Sequence, residues 1–322
     1  MGLADAPRLD ADAPWLVVVN AASGRQEGDA IAALIRDTVS ARGHQVSVRL
    51  VTHAEELEQT ARQAAGQARD RNGLLVAVGG DGTLNTVAAV ALEVGAAYSV
   101  IPGGTFNYFG RSNGFPTEPE AAIHAVLGGR LRPIQVGRVN ERIFLVNASL
   151  GLYPQLLEDR EAFKQQWGRS RPAAWGAALL TLLGRHRLHH LHLQSGDVDE
   201  HLLASTLFVG NNRLQLSDIG LPEAGEVDEG QLVGLVLRPV GRLGLVRLAL
   251  QGALGRLADA EEIERLVFRR LRVAQGGWWR GRQVKVAMDG EQCLMRTPLV
   301  FEVASQPLWL VAPDPPQDEA SG

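Results

Sequence analysis

Residues 74–85 constrain the fold more than any other part of the chain. They begin with an aliphatic run (74–78), continue through Gly-Gly-Asp-Gly-Thr (79–83), and lead into apolar residues at helical spacing. A short, uninterrupted aliphatic run is typical of a parallel strand that is covered on both faces. A glycine turn between such a strand and a helix presents free backbone N–H groups to a phosphate. The segment therefore predicts a phosphate-binding strand, turn and helix.

Asp81 is the one acid among these glycines. A carboxylate beside a phosphate is repulsive unless a metal ion or a proton lies between them. We predict no purely structural role for Asp81, because Ser or Thr would cap the helix equally well. We therefore interpret the turn as a metal-assisted nucleotide site, and the alternative is a tight turn that binds no ligand.

Strands and helices alternate over the first hundred residues. The predicted strands cover residues 15–20, 45–51, 74–78 and a run that ends at Ile101, and segments with helical apolar spacing separate them. This alternation predicts a parallel, doubly wound sheet, in which ligands bind at the carboxyl ends of the strands. Turns of interest follow three of the strands, at residues 20–25, 79–85 and 102–107. We expect these turns to converge on one edge of the sheet.

The pattern changes near residue 130. Strand-like runs cover residues 134–139, 142–148, 202–209, 231–238, 267–273, 284–288, 299–303 and 308–311. Their short connections, including a hairpin at Asn140-Glu141, predict a mainly antiparallel β domain, interrupted by helical insertions at 156–183 and 243–258. We expect a flexible leader (1–14), an α/β domain (15–130), a β-sandwich domain (131–313) whose last strand could return to the first domain, and a disordered tail (314–322).

The composition excludes several classes of protein. A net charge of −4 gives no reason to expect nucleic-acid binding. The single cysteine, Cys293, excludes an intramolecular disulfide and a multi-cysteine metal site, and it suits a reducing cytoplasm. The N-terminus lacks the apolar core of a secretory signal, and no window approaches the ~20 apolar residues of a spanning helix.

Five motifs follow one another in a distinctive order. They are Val-Val-Val-Asn-Ala-Ala-Ser-Gly (17–24), the turn at 79–85, Ile-Pro-Gly-Gly-Thr-Phe-Asn (101–107), Phe-Val-Gly-Asn-Asn (208–212) and Asp-Gly-Glu (289–291). Together they resemble the diacylglycerol-kinase catalytic domain family, which includes bacterial lipid kinases and the sphingosine and ceramide kinases. NAD kinases share Gly-Gly-Asp-Gly-Thr, but the Gly-Thr-Phe-Asn turn and the late Asp-Gly-Glu favour the lipid kinases. The resemblance implies an α/β ATP-binding domain joined to a β-sandwich that binds the lipid.

The resemblance also implies which residues contact the nucleotide. They are Asn20, Ser23, Thr52, Gly79, Gly80, Asp81, Gly82, Thr83, Leu84, Asn85, Thr105 and Asn107. Two of them have local alternatives. Thr52 and Glu55 have the spacing of a helix capping box, and Thr105 could simply start the short helix that contains Phe109.

Phosphoryl transfer requires aligned phosphates, Mg²⁺ to neutralise developing charge, and a base for the hydroxyl proton. The resemblance implies that Asp81 orients the phosphates of Mg·ATP, that Glu291 is the base, and that Asp289 is a supporting carboxylate. Because the base and the phosphate turn belong to different predicted domains, we expect the reaction centre between them. On local sequence alone, Asp289-Gly290 is a hairpin turn after residues 284–288.

A structural Mg²⁺ is implied at residues 221–232, which resemble a metal-binding segment of bacterial relatives. The implied ligands are Glu226, Glu229 and Gln231. Glu229 stands where the family pattern has Asp, and Asp228 could substitute for it. A solvated acidic loop is the alternative.

Both helical insertions carry arginines beside apolar residues, as at Arg242 and Arg247. A basic amphipathic helix can bind an anionic lipid surface, although a solvated helix packed on a sheet has the same pattern. His190 and His192 share a strand face, but no acid or cysteine lies nearby at ligand spacing, so we predict no metal site there.

The predicted protein is an ATP- and Mg²⁺-dependent lipid kinase that phosphorylates a hydroxyl of diacylglycerol or a similar long-chain lipid. We expect it in the cytoplasm, in transient contact with an anionic membrane surface at the inner membrane face. The alternatives are an NAD kinase and a catalytically silent module that binds lipid or nucleotide. The oligomeric state and the particular lipid are left open.

Overall fold

The protein forms two units. Its structure is a computed structural model, which describes residues 6–22, 25–151, 188–196, 198–253, 256, 259–275 and 283–314. The first unit comprises residues 1–136 and 304–322, and the second comprises residues 137–303. The predicted first insertion (156–183) and nearly all of the predicted tail (314–322) lie outside the described residues.

A six-stranded sheet organises the first unit, in the order β2-β1-β3-β4-β18-β5. Its strands are β1 (Trp15–Asn20), β2 (Val46–Val51), β3 (Leu74–Gly79), β4 (Ala97–Pro102), β5 (Arg130–Ile134) and β18 (Leu308–Ala312). Strands β1 to β4 and β18 run parallel, and β5 is antiparallel to β18. Strands β1, β3 and β4 are apolar and almost wholly buried because both faces of the sheet are covered there, whereas the edge strand β2 is only partly buried.

Helices connect the parallel strands. They are α1 (Arg25–Ala41), α2 (Leu57–Asp70), α3 (Asp81–Val94), α4 (Tyr108–Ser112) and α5 (Pro119–Leu127). The chain leaves β1 to one side to form β2 and returns to the other side to form β3, so right-handed crossovers place α1 and α2 on opposite faces. In agreement, α2 packs on α3 and α1 packs on α5. This arrangement confirms the predicted doubly wound α/β fold.

The last strand, β18, belongs to the first unit. It lies between β4 and β5, and the Ser99 hydroxyl on β4 donates a 2.7 Å hydrogen bond to the Val311 carbonyl. Because β5 pairs with β18 along its whole length, residues 131–136 also belong to the first unit, although the sequence assigned them to the second domain.

The end of the predicted leader is attached to the first unit. Ala13 is buried, and the Asn72 side chain donates a hydrogen bond to the Asp10 carboxylate at 3.3 Å. Trp15 follows immediately and begins β1. Residues 10–14 are therefore packed against the turn between α2 and β3.

The second unit is a sandwich of two antiparallel sheets, in the orders β10-β9-β14-β17-β6-β7 and β13-β12-β11-β8-β15-β16. Its strands are β6 (Gly137–Val139), β7 (Arg142–Phe144), β8 (Asn147–Gly151), β9 (His189–Ser195), β10 (Val198–Ala204), β11 (Thr206–Gly210), β12 (Leu232–Leu237), β13 (Ile263–Phe268), β14 (Arg270–Gln275), β15 (Gln283–Met288), β16 (Glu291–Arg296) and β17 (Leu299–Val303). Apolar side chains from both sheets form one core, as for Leu193, Leu271 and Phe301 of one sheet and Leu150 and Val286 of the other. The β-sandwich prediction is confirmed.

Two runs that the sequence predicts as single strands are each divided between the two sheets. Residues 142–148 form β7 and the start of β8, with a break at Leu145 and Val146, and residues 202–209 form the end of β10 and most of β11, with a break at Ser205. Both parts of each run are apolar because both sheets face the same core. Hydrophobicity therefore does not show where the chain changes sheet.

The second helical insertion begins with α7 (Arg242–Ala253), which follows the short helix α6 (Arg213–Asp218) in the described chain. Arginines of this region form ion pairs with acids: Arg238 with Glu264, Arg247 with Glu262, and Arg256 with Asp259. An acid therefore lies beside each of these three arginines, which favours the alternative of a solvated helix. Among the described helices, none has the length and apolar content that crossing a membrane requires.

Candidate active site

The turn after β3 leads directly into helix α3. Gly80 is the N-cap residue, no side chain caps the helix, and the first hydrogen bond of the helix runs from the Leu84 amide to the Gly80 carbonyl at 3.0 Å. The amides of residues 81–83 therefore have no partner within the helix. A helix N-terminus of this kind carries a partial positive charge that favours phosphate.

The glycine turns after β3 and β4 pack against each other backbone to backbone. The Gly103 amide donates a 2.8 Å hydrogen bond to the Gly79 carbonyl. A Cβ atom on Gly104 would lie 2.7 Å from the Gly80 Cα atom, and a Cβ on Gly79 would lie 2.9 Å from the Thr83 side chain. Only glycine fits this approach, so the two turns form one compact backbone surface.

Two asparagines hold these turns in place. Asn107 is buried in the left-handed conformation (φ 52°), where its side-chain oxygen accepts a hydrogen bond from the Gly104 amide and its side-chain nitrogen donates one to the Gly104 carbonyl, both at 2.8 Å. Asn20, at the end of β1, donates a 2.8 Å hydrogen bond to the Thr83 hydroxyl. The three turns that were predicted to converge follow the adjacent strands β1, β3 and β4, which confirms their convergence. In doubly wound sheets ligands bind where the strand order reverses, which here is between β1 and β3.

Asp81 has a structural contact that its sequence context does not reveal. Its carboxylate accepts a hydrogen bond from the Phe109 amide, in the first turn of α4, at 3.2 Å. Burial raises the pKa of the Asp81 carboxyl, and the backbone amides of Phe109, Tyr108 and Asn107 lower this pKa in part. The inference that Asp81 has no structural role was wrong. Asp81 belongs to α3, but its carboxylate caps the start of α4, a helix that follows later in the sequence.

The other predicted nucleotide residues lie at different positions around the turns. Leu84 points into the core, and Asn85 is half-buried on α3. Thr52 and Thr105 are exposed, after β2 and β4 respectively. Ser23 lies outside the described residues.

Neither threonine has the helix-starting role that the sequence left open. The helical segment after Thr52 begins with a 3₁₀ turn, Ala54–Glu56, whose N-cap is His53, and no side chain caps it. The predicted capping box is therefore absent, because the helix starts one residue too late. Helix α4 has Asn107, not Thr105, as its N-cap residue.

Aromatic side chains lie beside the second glycine turn. The Phe106 and Tyr108 rings are stacked with centroids 5.9 Å apart, and the Arg111 guanidinium lies 5.9 Å from the Tyr108 ring centroid. Phe106 is half exposed, whereas Phe109 is buried. Phe106 precedes α4, which begins at Tyr108.

In the second unit, residues 289 and 290 form the two-residue turn between β15 and β16. Asp289 (φ 47°) and Gly290 (φ 87°) are both in the left-handed region, as a type I′ hairpin turn requires. Glu291 follows as the first residue of β16, opposite Met288, with an exposed side chain. The hairpin interpretation is confirmed, and it leaves the Glu291 carboxylate accessible.

Asp289 itself is buried and satisfies a break in the sheet. Its carboxylate accepts hydrogen bonds from the amides of Leu145 at 2.7 Å, Val146 at 2.9 Å and Asn147 at 2.9 Å. These amides lie where the chain passes from β7 to β8, so a regular ladder does not pair them. A carboxylate that accepts three amide hydrogen bonds fixes the turn that carries Glu291 to the β7–β8 junction.

Replacing Asp289 by Asn is expected to destabilise the folded protein by about 1–3 kcal/mol, the cost of one unsatisfied buried polar group. Asparagine has a single acceptor oxygen, so its NH₂ group would face an amide N–H that now donates to Asp289. The check is the shift in the chemical denaturation midpoint relative to wild type. An unchanged midpoint would contradict the structural role of this carboxylate.

The predicted metal segment is closed by its own hydrogen bonds. The Glu226 carbonyl accepts from the amides of Glu229 at 3.2 Å and Gln231 at 3.1 Å, and its carboxylate accepts from the Gln231 side chain at 3.0 Å. Asp228, the possible substitute, pairs with Arg213 at 2.7 Å. These contacts are those of an acidic loop closed on itself, and the magnesium site at Glu226, Glu229 and Gln231 stays a prediction.

The match to known proteins extends over both units. A family model described as the diacylglycerol kinase catalytic domain matches residues 14–139. A protein of Pseudomonas aeruginosa named "Probable lipid kinase YegS-like" is 32% identical over 258 residues, which cover 77% of this chain and 80% of that protein. A diacylglycerol kinase of Bacillus subtilis is 33% identical over 146 residues, which cover 44% of this chain and 47% of that protein.

A crystal structure of a diacylglycerol kinase from Bacillus anthracis is similar in fold. The superposition covers 94% of this chain and 97% of the Bacillus anthracis chain, with a TM-score of 0.66 and 17% sequence identity. At this identity the likeness concerns the fold alone.

Proposed function

This chain belongs to the diacylglycerol kinase family of lipid kinases, and from that premise we propose that it transfers the γ-phosphate of ATP to a hydroxyl of diacylglycerol or a similar long-chain lipid. The observation that carries this proposal is the pair of packed glycine turns after β3 and β4, of which the first borders the point between β1 and β3 where the strand order of the sheet reverses. There, amides without helical partners and a glycine-only surface suit a chain of phosphates.

In the proposed complex the ATP phosphates lie against the amides of residues 81–83. The interlocked backbones of Gly80 and Gly104 permit a close approach because neither residue has a side chain. Asn107 and Asn20 position the turns from behind, through the contacts to Gly104 and Thr83. The amides bind and orient the phosphates, the two asparagines hold the turns, and neither group takes part in proton transfer.

Asp81 faces the bound phosphates and requires a cation to offset the repulsion. The donor set fits this requirement, since Asp81 presents a hard carboxylate oxygen and lies beside the phosphate amides. Mg²⁺ bound with ATP would neutralise the negative charge that develops during transfer. Burial limits the solvation of the Asp81 carboxylate and raises its pKa, so a neighbouring cation would favour its ionised form.

Glu291 is the proposed general base. Its carboxylate is exposed on the turn that Asp289 fixes, and it takes the proton of the lipid hydroxyl as that oxygen bonds to the γ-phosphorus and ADP leaves. Asp289 has three backbone donors on its carboxylate, so we assign it the positioning of Glu291 instead of a share in the chemistry.

A long-chain lipid substrate requires contact with a membrane surface, and we propose transient contact at the inner face from the cytoplasm. Leu243, at the start of α7, is 84% exposed, whereas Arg247 nearby pairs with Glu262. This distribution supports insertion of an apolar side chain more than attraction to anionic headgroups.

A substrate panel tests the function. Purified protein is incubated with labelled ATP and Mg²⁺ and, separately, with diacylglycerol, ceramide, sphingosine, undecaprenol and NAD. We expect label to be transferred to a lipid only when Mg²⁺ is present. Transfer to NAD alone would replace the proposal with an NAD kinase, and transfer to no acceptor would indicate a silent binding module.

A further inference from the structure

A cluster of two imidazoles and a carboxylate lies on the hairpin formed by β9 and β10. Its members are His192 of β9 and Asp199 and His201 of β10. The hairpin register places His201 directly opposite His192, and Asp199 opposite Gln194, so that Asp199 lies diagonal to His192. Cross-strand neighbours of this kind bring their side chains within contact distance on one face of the sheet.

The side chains converge closely. The imidazole rings of His192 and His201 are stacked with centroids 3.9 Å apart and an interplanar angle of 11°. The His192 Nε2 atom lies 2.5 Å from the Asp199 Oδ1 atom. One ligand atom from each of the three residues lies within 4.8 Å of the others, so small side-chain rotations would bring all three to metal-bonding distance of about 2.0–2.2 Å.

Neighbouring side chains hold the carboxylate in position. The side-chain nitrogen of Gln194 donates a 3.1 Å hydrogen bond to the second carboxylate oxygen of Asp199. The side-chain oxygen of Gln194 accepts a 2.7 Å hydrogen bond from Arg272 on β14. This chain of contacts leaves the Oδ1 atom of Asp199 directed at the histidine. Outer partners of this type orient ligands in known metal sites.

The cluster is accessible to a cation from solution. Leu191 and Leu193 are buried in the sandwich core, so the alternation of the strand directs His192 to the opposite face. His201 and Asp199 are exposed, and in the described part of the chain β10 is an edge strand.

We propose that His192, Asp199 and His201 form a binding site for a late first-row divalent cation such as Zn²⁺. Two imidazole nitrogens and one carboxylate oxygen match the preferences of Zn²⁺ and its neighbours, whereas Mg²⁺ prefers oxygen ligands alone. Three protein ligands leave a fourth tetrahedral position for water. None of the three residues has a role in the proposed kinase reaction, and the bound cation ties the edge strand β10 to β9.

The proposed site differs from the sequence-based prediction that these histidines bind no metal. His190 and His192 share a face, yet the ligands come from His192 and from residues across the hairpin, at positions 199 and 201. The acid is Asp199, which the pairing of β10 with β9 brings beside His192 although the two residues are seven positions apart in the sequence.

Titration of the untagged full chain with Zn²⁺ alone, followed by calorimetry, tests the proposal. We expect one saturable site and a rise in the thermal unfolding midpoint with Zn²⁺ concentration, because a ligand that binds only the folded state stabilises it. His201→Ala and Asp199→Asn are each expected to lower the Zn²⁺ affinity at least ~10-fold, since losing even an outer partner costs that much in metal sites.

His190→Ala is the matched control, because it removes a histidine of the same strand whose cross-strand partner is Leu203. It should retain the wild-type Zn²⁺ affinity, as should Cys293→Ser, which removes the one thiol. Absence of saturable Zn²⁺ binding by the wild type would overturn the proposal. Equal binding by wild type and His201→Ala, or a loss of binding in His190→Ala, would also overturn it. Because no lipid or ATP is present, none of these results depends on the kinase proposal.

Discussion

Asp81→Asn is expected to lower lipid kinase turnover at least ~10²-fold, the scale on which a positioned catalytic group acts, while the protein remains at least as stable as the wild type. The loss of activity follows from the proposed role, because a neutral amide cannot balance the charge of a cation bound with the ATP phosphates. The fold should be maintained, because the Asn oxygen can still accept the hydrogen bond from the Phe109 amide.

The effect on stability follows from the sign of the pKa shift. Burial raises the pKa of Asp81 in the folded protein above its ordinary value of 3.8. As pH rises through 3.8 and then through the folded pKa, the unfolded state releases its proton first, so the wild type loses stability over this interval. At neutral pH the ionised Asp81 therefore opposes folding, and Asn removes that cost.

Thermal unfolding from acid to neutral pH, together with turnover at saturating ATP, tests both parts. We expect the thermal unfolding midpoint of Asp81→Asn to rise relative to that of the wild type as the pH increases from below 3.8. A variant that retains turnover would remove Asp81 from the reaction. If the variant melts well below the wild type, the Asp81 carboxylate of the wild type acts mainly as a cap for α4.

The fold could be predicted from the sequence because its main signals are local. The aliphatic run of β3 and the glycines that follow determine a buried parallel strand and a helix start within a dozen residues. The Asp289-Gly290 pair determines a hairpin turn because few residues adopt positive φ at both positions. What could not be predicted is where a continuous apolar run changes sheet, as at Leu145 and Ser205.

The candidate site, like the fold, could be predicted where its signals are local and could not be predicted where they depend on distant residues. The sequence identifies the glycines and Asp81 as a phosphate turn, and it brings the three turns to one edge. The functions of individual polar atoms depend on partners distant in the chain, such as Phe109 for Asp81 and Val146 for Asp289. No periodicity encodes such contacts, because they arise only when sheet register and helix position are set.

Glu291→Gln is the second large effect that we expect: turnover with the lipid substrate falls at least ~10²-fold, the usual contribution of a general base. The substitution keeps the size and shape of an exposed side chain at the first position of β16, so unfolding should be unchanged. Wild-type activity in the variant would exclude Glu291 as the base.

Glu141→Gln provides the matched control, because Glu141 is also an exposed acid at a hairpin of the same unit, in the turn between β6 and β7. It should change neither turnover nor stability.

Comparing Asp289→Asn with Glu291→Gln distinguishes a structural residue from a catalytic residue within the same Asp-Gly-Glu turn. Asp289→Asn lowers stability because three backbone amides lose part of their acceptor, whereas Glu291→Gln lowers turnover at constant stability. If both variants affected only stability, the Asp-Gly-Glu turn would be a structural hairpin and the base would have to be sought elsewhere.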